Sequence, residues 1–320
     1  MKGATSMLAA VVCAPRRVGM QRTAIPRPAP GEVSIAVEGC GVCASSLPLW
    51  EGRSWFDYPA APGTPGHEGW GRVAAVGDGV ADLRSGDRVA FLAQRSFAEY
   101  DLAPAEGVVL LPRQLDGQPF PAEAVGCAMN AFRRTEAVAG ETAAVIGVGF
   151  LGAILVRLLA NAGMRVIAVS RRPFALDLAR RYGASETIGI SGESAAQISE
   201  LTQGAGCARV IEAAGLQSTL DLATEVVAER GRLVIAGYHQ DGRRSVDVQA
   251  WNWKGIDVIN AHERATSAYV RGMREGVAAV RDGTLDLGPL LTPFPLADIG
   301  DAFRALEERR DGFVKAVVLT

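Results

Sequence analysis

The chain has 320 residues, with 33 Lys and Arg against 35 Asp and Glu and 48% hydrophobic residues, enough apolar material for about two packed domains. A formal charge of −2 excludes the basic footprint of a nucleic-acid binder, and no apolar run reaches the roughly 18–20 residues of a membrane span. Residues 1–10 hold too short an apolar stretch for a signal peptide, and five cysteines are too few, and odd in number, for a secreted disulfide scaffold, so a cytoplasmic protein is expected.

The first third reads as β structure. Residues 33–37 and 71–76 alternate between two faces, and clusters of Gly, Pro and Asp at 28–32 and 76–80 punctuate the strands. Short strands with frequent turns imply a compact, barrel-like domain. From about Thr142 the rhythm changes. Residues 143–146 form a continuous apolar run, as in a buried parallel strand, and a glycine-rich turn precedes helical spacing over 153–162. Further strands are expected at 165–169, 209–214 and 231–236, with helices at 174–182 and 218–228, an alternation that builds βαβ units. The tail reads as a helix over 297–309 and a closing strand over 313–319. The fold class expected from this pattern is α/β plus β. Glycine, at 37 residues, exceeds its usual share of about 7%, as many tight turns and close backbone approaches require.

Gly147-Val148-Gly149-Phe150-Leu151-Gly152 is a G-x-G-x-x-G turn between a predicted strand and a predicted helix. Its glycines allow the tight turn, the approach of a pyrophosphate and the packing of helix on strand, while the helix N-terminus faces the phosphates. An acidic residue closing the next strand would bind the ribose of NAD; here Ser170-Arg171-Arg172 stands instead. A hydroxyl with guanidinium groups suits a 2′-phosphate, so NADP(H) is expected in preference to NAD(H).

Three stretches of the β region carry metal-type residues: Cys40-Gly41-Val42-Cys43, Pro65-Gly66-His67-Glu68-Gly69 and Gly126-Cys127. A lone C-x-x-C fits a redox pair or half of a structural zinc site, and no second C-x-x-C completes the latter. Together with residues 41–46, 65–73, 86–89, 96–100 and 147–152 in that order, these motifs resemble the zinc-dependent alcohol dehydrogenases of the medium-chain dehydrogenase/reductase superfamily. The resemblance spans essentially the whole chain, and Gly66-His67-Glu68-Gly69-Trp70-Gly71-Arg72-Val73 is its most specific segment. It implies a GroES-like β-barrel catalytic domain, residues 1–128 and 259–320, with an inserted Rossmann dinucleotide-binding domain, 129–258, pairing as a homodimer. It also implies Cys43, His67 and Cys127 as ligands of one catalytic Zn2+, a set that leaves a fourth position open. Glu68 would be the family's near-metal carboxylate, and Ser45 the hydroxyl that starts the proton relay. The family's four-cysteine lobe is missing between residues 91 and 96, so no structural zinc is expected. One departure bears on the site: Ser46 stands where relatives carry an Asp that orients the ligand His, a loss that typically costs 10–100-fold in metal affinity or activity.

The same resemblance implies cofactor contacts at Ala214, Ala236 and Tyr238 and substrate contacts at Trp50, Tyr238 and His262; because imidazole titrates near neutral pH, His239, and equally His262, is a candidate general acid. The expected activity is hydride transfer between NADP(H) and an alcohol, ketone or aldehyde held on zinc, with a small-molecule substrate and neither nucleic acid nor membrane as partner. Two alternatives stand: a zinc-independent reductase of the same superfamily acting on an enone or imine, and a non-catalytic NADPH-binding module.

Overall fold

The computed structural model describes residues 5–320; residues 1–4, the beginning of the stretch weighed above as a leader, lie outside the described residues. The chain divides into two compact units, Met1–Gly126 with Ala265–Thr320, and Cys127–Arg264.

The first unit opens with a hairpin, β1 (Ser6–Ala14) and β2 (Arg17–Ala24), followed by β3 (Glu32–Gly41), the one-turn helix α1 (Leu47–Glu51), β4 (Glu68–Val76), β5 (Arg88–Phe91), β6 (Tyr100–Pro104) and β7 (Val108–Leu110). Helix α2 (Ala122–Thr135) carries the chain into the second unit, which runs β8 (Thr142–Ile146), α3 (Phe150–Asn161), β9 (Arg165–Ser170), α4 (Pro173–Arg181), β10 (Glu186–Gly189), α5 (Ser194–Leu201), β11 (Cys207–Glu212), α6 (Gln217–Val226), β12 (Val227–Ile235), α7 (Val248–Lys254) and β13 (Asp257–Asn260). The chain then returns to the first unit with α8 (Thr266–Arg281), β14 (Leu291–Pro295), α9 (Ile299–Glu308) and β15 (Lys315–Leu319).

The main sheet of the first unit has the order β14-β15-β3-β4-β5-β7, with β6 paired to β3. Strand β3 serves two cores. Val33, Ile35 and Val37 pack in one cluster, whereas Cys40 and Val42 pack in another. The change of parity comes from the irregular register between Val37 and Gly39, since one extra residue turns every following side chain to the opposite face. The second core is closed by α9, whose Ile299, Ala302, Phe303 and Leu306 repeat at the spacing of a single helical face. Trp50 is part of this core. It is 1% exposed, stacks on Phe303 at 5.1 Å and donates its indole N–H to Glu307 Oε2 at 3.0 Å. The expectation that Trp50 lines the substrate pocket is thus corrected: the apolar stripe of α9 takes the ring inward and a carboxylate satisfies its one donor.

The second unit is a six-stranded parallel sheet in the order β10-β9-β8-β11-β12-β13. Its strands are near-continuous apolar runs because helices cover both faces, as in all-parallel sheets. The order reverses between β8 and β11, and a doubly wound sheet leaves its ligand crevice at the carboxyl ends of the strands at that point.

Candidate active site

Cys43 lies two residues beyond β3, and Glu68 opens β4, the strand paired with it, with His67 immediately before. One donor atom of each residue lies within 4.8 Å of those of the other two, and among the described residues this is the group of three placed to hold a metal ion. A thiolate, an imidazole and a carboxylate are a zinc-type donor set. Burial opposes protonation of His67, but its hydrogen bond to Cys43 and the negative charges of Cys43, Glu68 and Glu123 outweigh that and hold its pKa up to about 10. The surroundings of His67 thus favour positive charge.

The orientation of His67 answers the doubt raised by Ser46. His67 Nδ1 lies 2.7 Å from the Pro65 carbonyl oxygen, which only accepts, so Nδ1–H donates and Nε2 is the nitrogen available to a metal. The backbone thus fixes the tautomer that an Asp would otherwise fix. Ser46 Oγ is buried without a hydrogen-bond partner. Ser45 Oγ lies 3.5 Å from His67 Nε2, which sets its hydroxyl beside that nitrogen. Glu68, 1% exposed, is paired with Lys315 of β15, a residue that no local motif announces. Cys127, the third expected ligand, stands on α2 in the second unit and is half-buried.

In the second unit, Gly147 ends β8 with φ +103°, a conformation that favours glycine. A Cβ at Gly152 would collide with the Gly147 carbonyl oxygen, whereas a Cβ at Gly149 would project into open space. This leaves a backbone cradle at the start of α3, where no side chain caps the first turn, with Phe150 and Leu151 opening the helix. The uncapped N-terminus of a 12-residue helix is a fit receptor for a pyrophosphate. Ser170 closes β9, its Oγ accepting the Arg172 N–H at 3.4 Å, and Arg171 is exposed next to it. Ala214 and Ala236 follow β11 and β12 on the same carboxyl edge of the sheet.

Tyr238 is 53% exposed and its ring lies 5.5 Å from that of His262. His262 Nε2 is 3.2 Å from the Gly237 carbonyl oxygen, so that nitrogen donates. His239 departs from expectation. Its Nε2 lies 3.0 Å from Glu212 Oε2 and its Nδ1 accepts from Arg244 Nε at 2.9 Å, so both ring nitrogens are committed within the protein. A general acid needs a proton aimed at substrate, and the structure directs this one at a buried carboxylate.

Residues 29–113 match the family described as alcohol dehydrogenase GroES-like domain, and residues 151–277 match zinc-binding dehydrogenase. The chain is 30% identical over 304 residues to an erythritol/L-threitol dehydrogenase of Mycolicibacterium smegmatis, covering 79% of this chain and 82% of that one. It is 27% identical over 343 residues to an (R,R)-butanediol dehydrogenase of Neisseria gonorrhoeae, covering 92% and 94%. The crystal structure of 2R,3R-butanediol dehydrogenase from Bacillus subtilis superposes with a TM-score of 0.86 at 26% identity, over 98% of this chain and 100% of that one. With a GroES-like sheet, a doubly wound parallel sheet and these relatives, the chain belongs to the zinc-dependent alcohol dehydrogenase family of the medium-chain dehydrogenase/reductase superfamily.

Proposed function

We propose that the protein transfers hydride between NADP(H) and a small alcohol, ketone or aldehyde, with Cys43, His67 and Cys127 holding a catalytic zinc. The observation that carries this reading is the convergence of Cys43, His67 and Glu68 within 4.8 Å, with His67 turned by the Pro65 carbonyl so that Nε2 serves the metal. Zinc in such a set supplies Lewis-acid polarisation of a substrate oxygen. The remaining work falls to the chain's own side chains. Ser45 Oγ, beside His67 Nε2, holds and passes on the proton of the substrate hydroxyl. Glu68, paired with Lys315, places a carboxylate beside His67. Gly147, Gly149 and Gly152 admit the pyrophosphate, and Ser170, Arg171 and Arg172 select the 2′-phosphate. The names of the relatives, an erythritol/L-threitol and two butanediol dehydrogenases, support small hydroxylated compounds as the substrate class.

Metal analysis, dinucleotide titration and oxidation of a panel of diols and simple alcohols, before and after chelation, test the reading together. The expected results are one zinc per chain, tighter binding of NADPH than NADH, and activity lost on chelation and restored by zinc. Full activity in metal-free protein would replace the zinc mechanism by the zinc-independent one. Dinucleotide binding with no turnover of any alcohol or carbonyl compound would leave only a binding module. In the double variant Arg171→Ala/Arg172→Ala, the preference for NADPH should fall by about tenfold or more, the worth of a charge-assisted contact.

A further inference from the structure

Glu212, at the carboxyl end of β11, is wholly buried, yet four donors reach it. Oε1 accepts from the backbone N–H groups of Ala214 and Gly215, both at 2.8 Å, and from Thr219 Oγ1 at 2.7 Å. Oε2 receives His239 Nε2 at 3.0 Å. The proton on that imidazole is located by its other neighbour. A guanidinium only donates, so Arg244 Nε, 2.9 Å from His239 Nδ1, requires a lone pair there and places the ring proton on Nε2, toward Glu212. Arg244, itself ion-paired with Asp241, thus fixes the ring's tautomer, so that the buried carboxylate receives a proton-bearing nitrogen.

Three more hydrogen bonds bind the same pieces together. Arg244 Nη2 donates to the Gly215 carbonyl oxygen at 3.0 Å. Gln217 grips Ser245 from both sides, donating to its carbonyl at 2.8 Å and accepting its N–H at 3.0 Å. Residues 239–245 are therefore pinned onto the turn after β11. That turn borders the dinucleotide cradle: a Cβ on Gly147 would lie 2.8 Å from Ala214 N, the very N–H that Glu212 holds. It also lies at the β8/β11 reversal, where the ligand crevice of such a sheet opens.

We propose that His239 is a positioning residue for the dinucleotide: with Arg244 it locks Glu212 onto the Ala214–Gly215 turn and so preforms the crevice beside Gly147. The proposal rests on the nicotinamide-dependent reading above. Preformation removes an ordering cost from binding, so loss of the lock falls on the dissociation constant and KM of the dinucleotide more than on kcat.

The test is NADPH titration by fluorescence on the zinc-loaded protein, with zinc content and thermal midpoint measured on the same samples. His239→Ala should weaken NADPH binding by about tenfold with zinc content unchanged. His239→Gln should recover binding to within about threefold of the wild type, because an amide offers both the donor for Glu212 and the acceptor for Arg244. Arg244→Gln probes the same lock without emptying the buried ring position, and should weaken binding in the same direction. Wild-type affinity in both His239→Ala and Arg244→Gln would overturn the proposal. So would His239→Ala with intact affinity and a collapsed kcat, which would make His239 a catalytic residue. A wild-type protein that binds neither NADPH nor NADH would overturn the functional reading itself, and the proposal with it.

Discussion

Lys315 and Glu68 form a buried ion pair across Gly41, with Nζ 2.8 Å from Oε1 and 2.7 Å from Oε2. The register explains how two residues on non-adjacent strands meet. Gly41 of β3 lies opposite Glu68 on β4 and Val317 on β15, and Lys315, two residues before Val317, shares its face. A Cβ at Gly41 would collide with Glu68 Oε2, so glycine in the middle strand leaves the gap the pair occupies. Burial works against the Lys315 ammonium, but the negative charges of Glu68 and Cys43 hold its pKa above the usual lysine value. Lys315→Met should cost about 3–5 kcal/mol, because it leaves an uncompensated carboxylate inside the sheet. Adding Glu68→Gln to Lys315→Met should recover a large part of that loss, which urea midpoints of the two variants would read. A double variant no more stable than Lys315→Met would remove the ion pair as the cause.

Ser46 bears on the orientation of His67. Its hydroxyl is buried without a partner, while His67 Nδ1 is already satisfied by Pro65. An unmet buried hydroxyl carries a desolvation penalty of about 1–3 kcal/mol. Ser46→Ala should therefore leave the urea midpoint unchanged or higher, with zinc content equal to that of the wild type. A fall in zinc content would show that the hydroxyl, and not the backbone carbonyl, orients the imidazole.

The parallel sheet and the turn at Gly147 were legible because each strand carries its own apolar run and the glycines keep fixed spacing. Helix α8 was not, since Gly272 and Gly276 stand inside it and glycine is a poor helix former. Their reason is tertiary: a Cβ on Gly276 would lie 2.6 Å from Val125 Cγ1, and one on Gly126 would lie 2.9 Å from Met273 N. Small residues there let α2 and α8 approach closely. Lys315 reads locally as a stray charge in an apolar strand, and its partner is 247 residues away. The Pro65 carbonyl escapes any side-chain pattern, because the orienting group is backbone. Trp50 misleads for a related reason: the stripe on α9 that buries it lies some 250 residues further on. His239 was singled out as a titratable group on the right strand end, but its commitment depends on Arg244 in a loop without periodicity.

Glu307 predicts a pH dependence. Its hydrogen bond with Arg16, then that with Trp50 and the charge of Arg16, lower its pKa below 4.5 against the effect of burial. A carboxylate with a depressed folded pKa contributes stability above its unfolded value and loses it as pH falls through the folded value. Arg16 is largely exposed, so the worth of the pair is about 0–1 kcal/mol. Glu307→Gln should thus be slightly less stable than the wild type at about pH 7 and should converge with it in acid, once pH has fallen through the lowered folded value of Glu307. Tryptophan fluorescence in urea titrations at the two pH values would follow this, because Trp50 donates to that same group. A difference that persists unchanged in acid would assign the effect to shape and not to charge.

Gly149 and Gly152 separate binding from folding within one turn. At Gly149 the backbone is extended, with φ −94°, and an added methyl meets nothing within 4 Å. Gly149→Ala should fold with a thermal midpoint close to that of the wild type. The methyl would stand in the cradle at the start of α3, so dinucleotide binding should weaken by about tenfold or more, roughly the worth of one lost phosphate contact. At Gly152 the added Cβ meets the Gly147 carbonyl oxygen instead, and the turn must shift to relieve it. Overpacking of that kind costs about 1–3 kcal/mol, so Gly152→Ala should lower the midpoint as well as the affinity. Melting curves and NADPH titrations on the two variants distinguish these outcomes. Wild-type affinity in Gly149→Ala would move the pyrophosphate away from this turn, whereas an equal loss of stability in both variants would mean that the turn's role is structural.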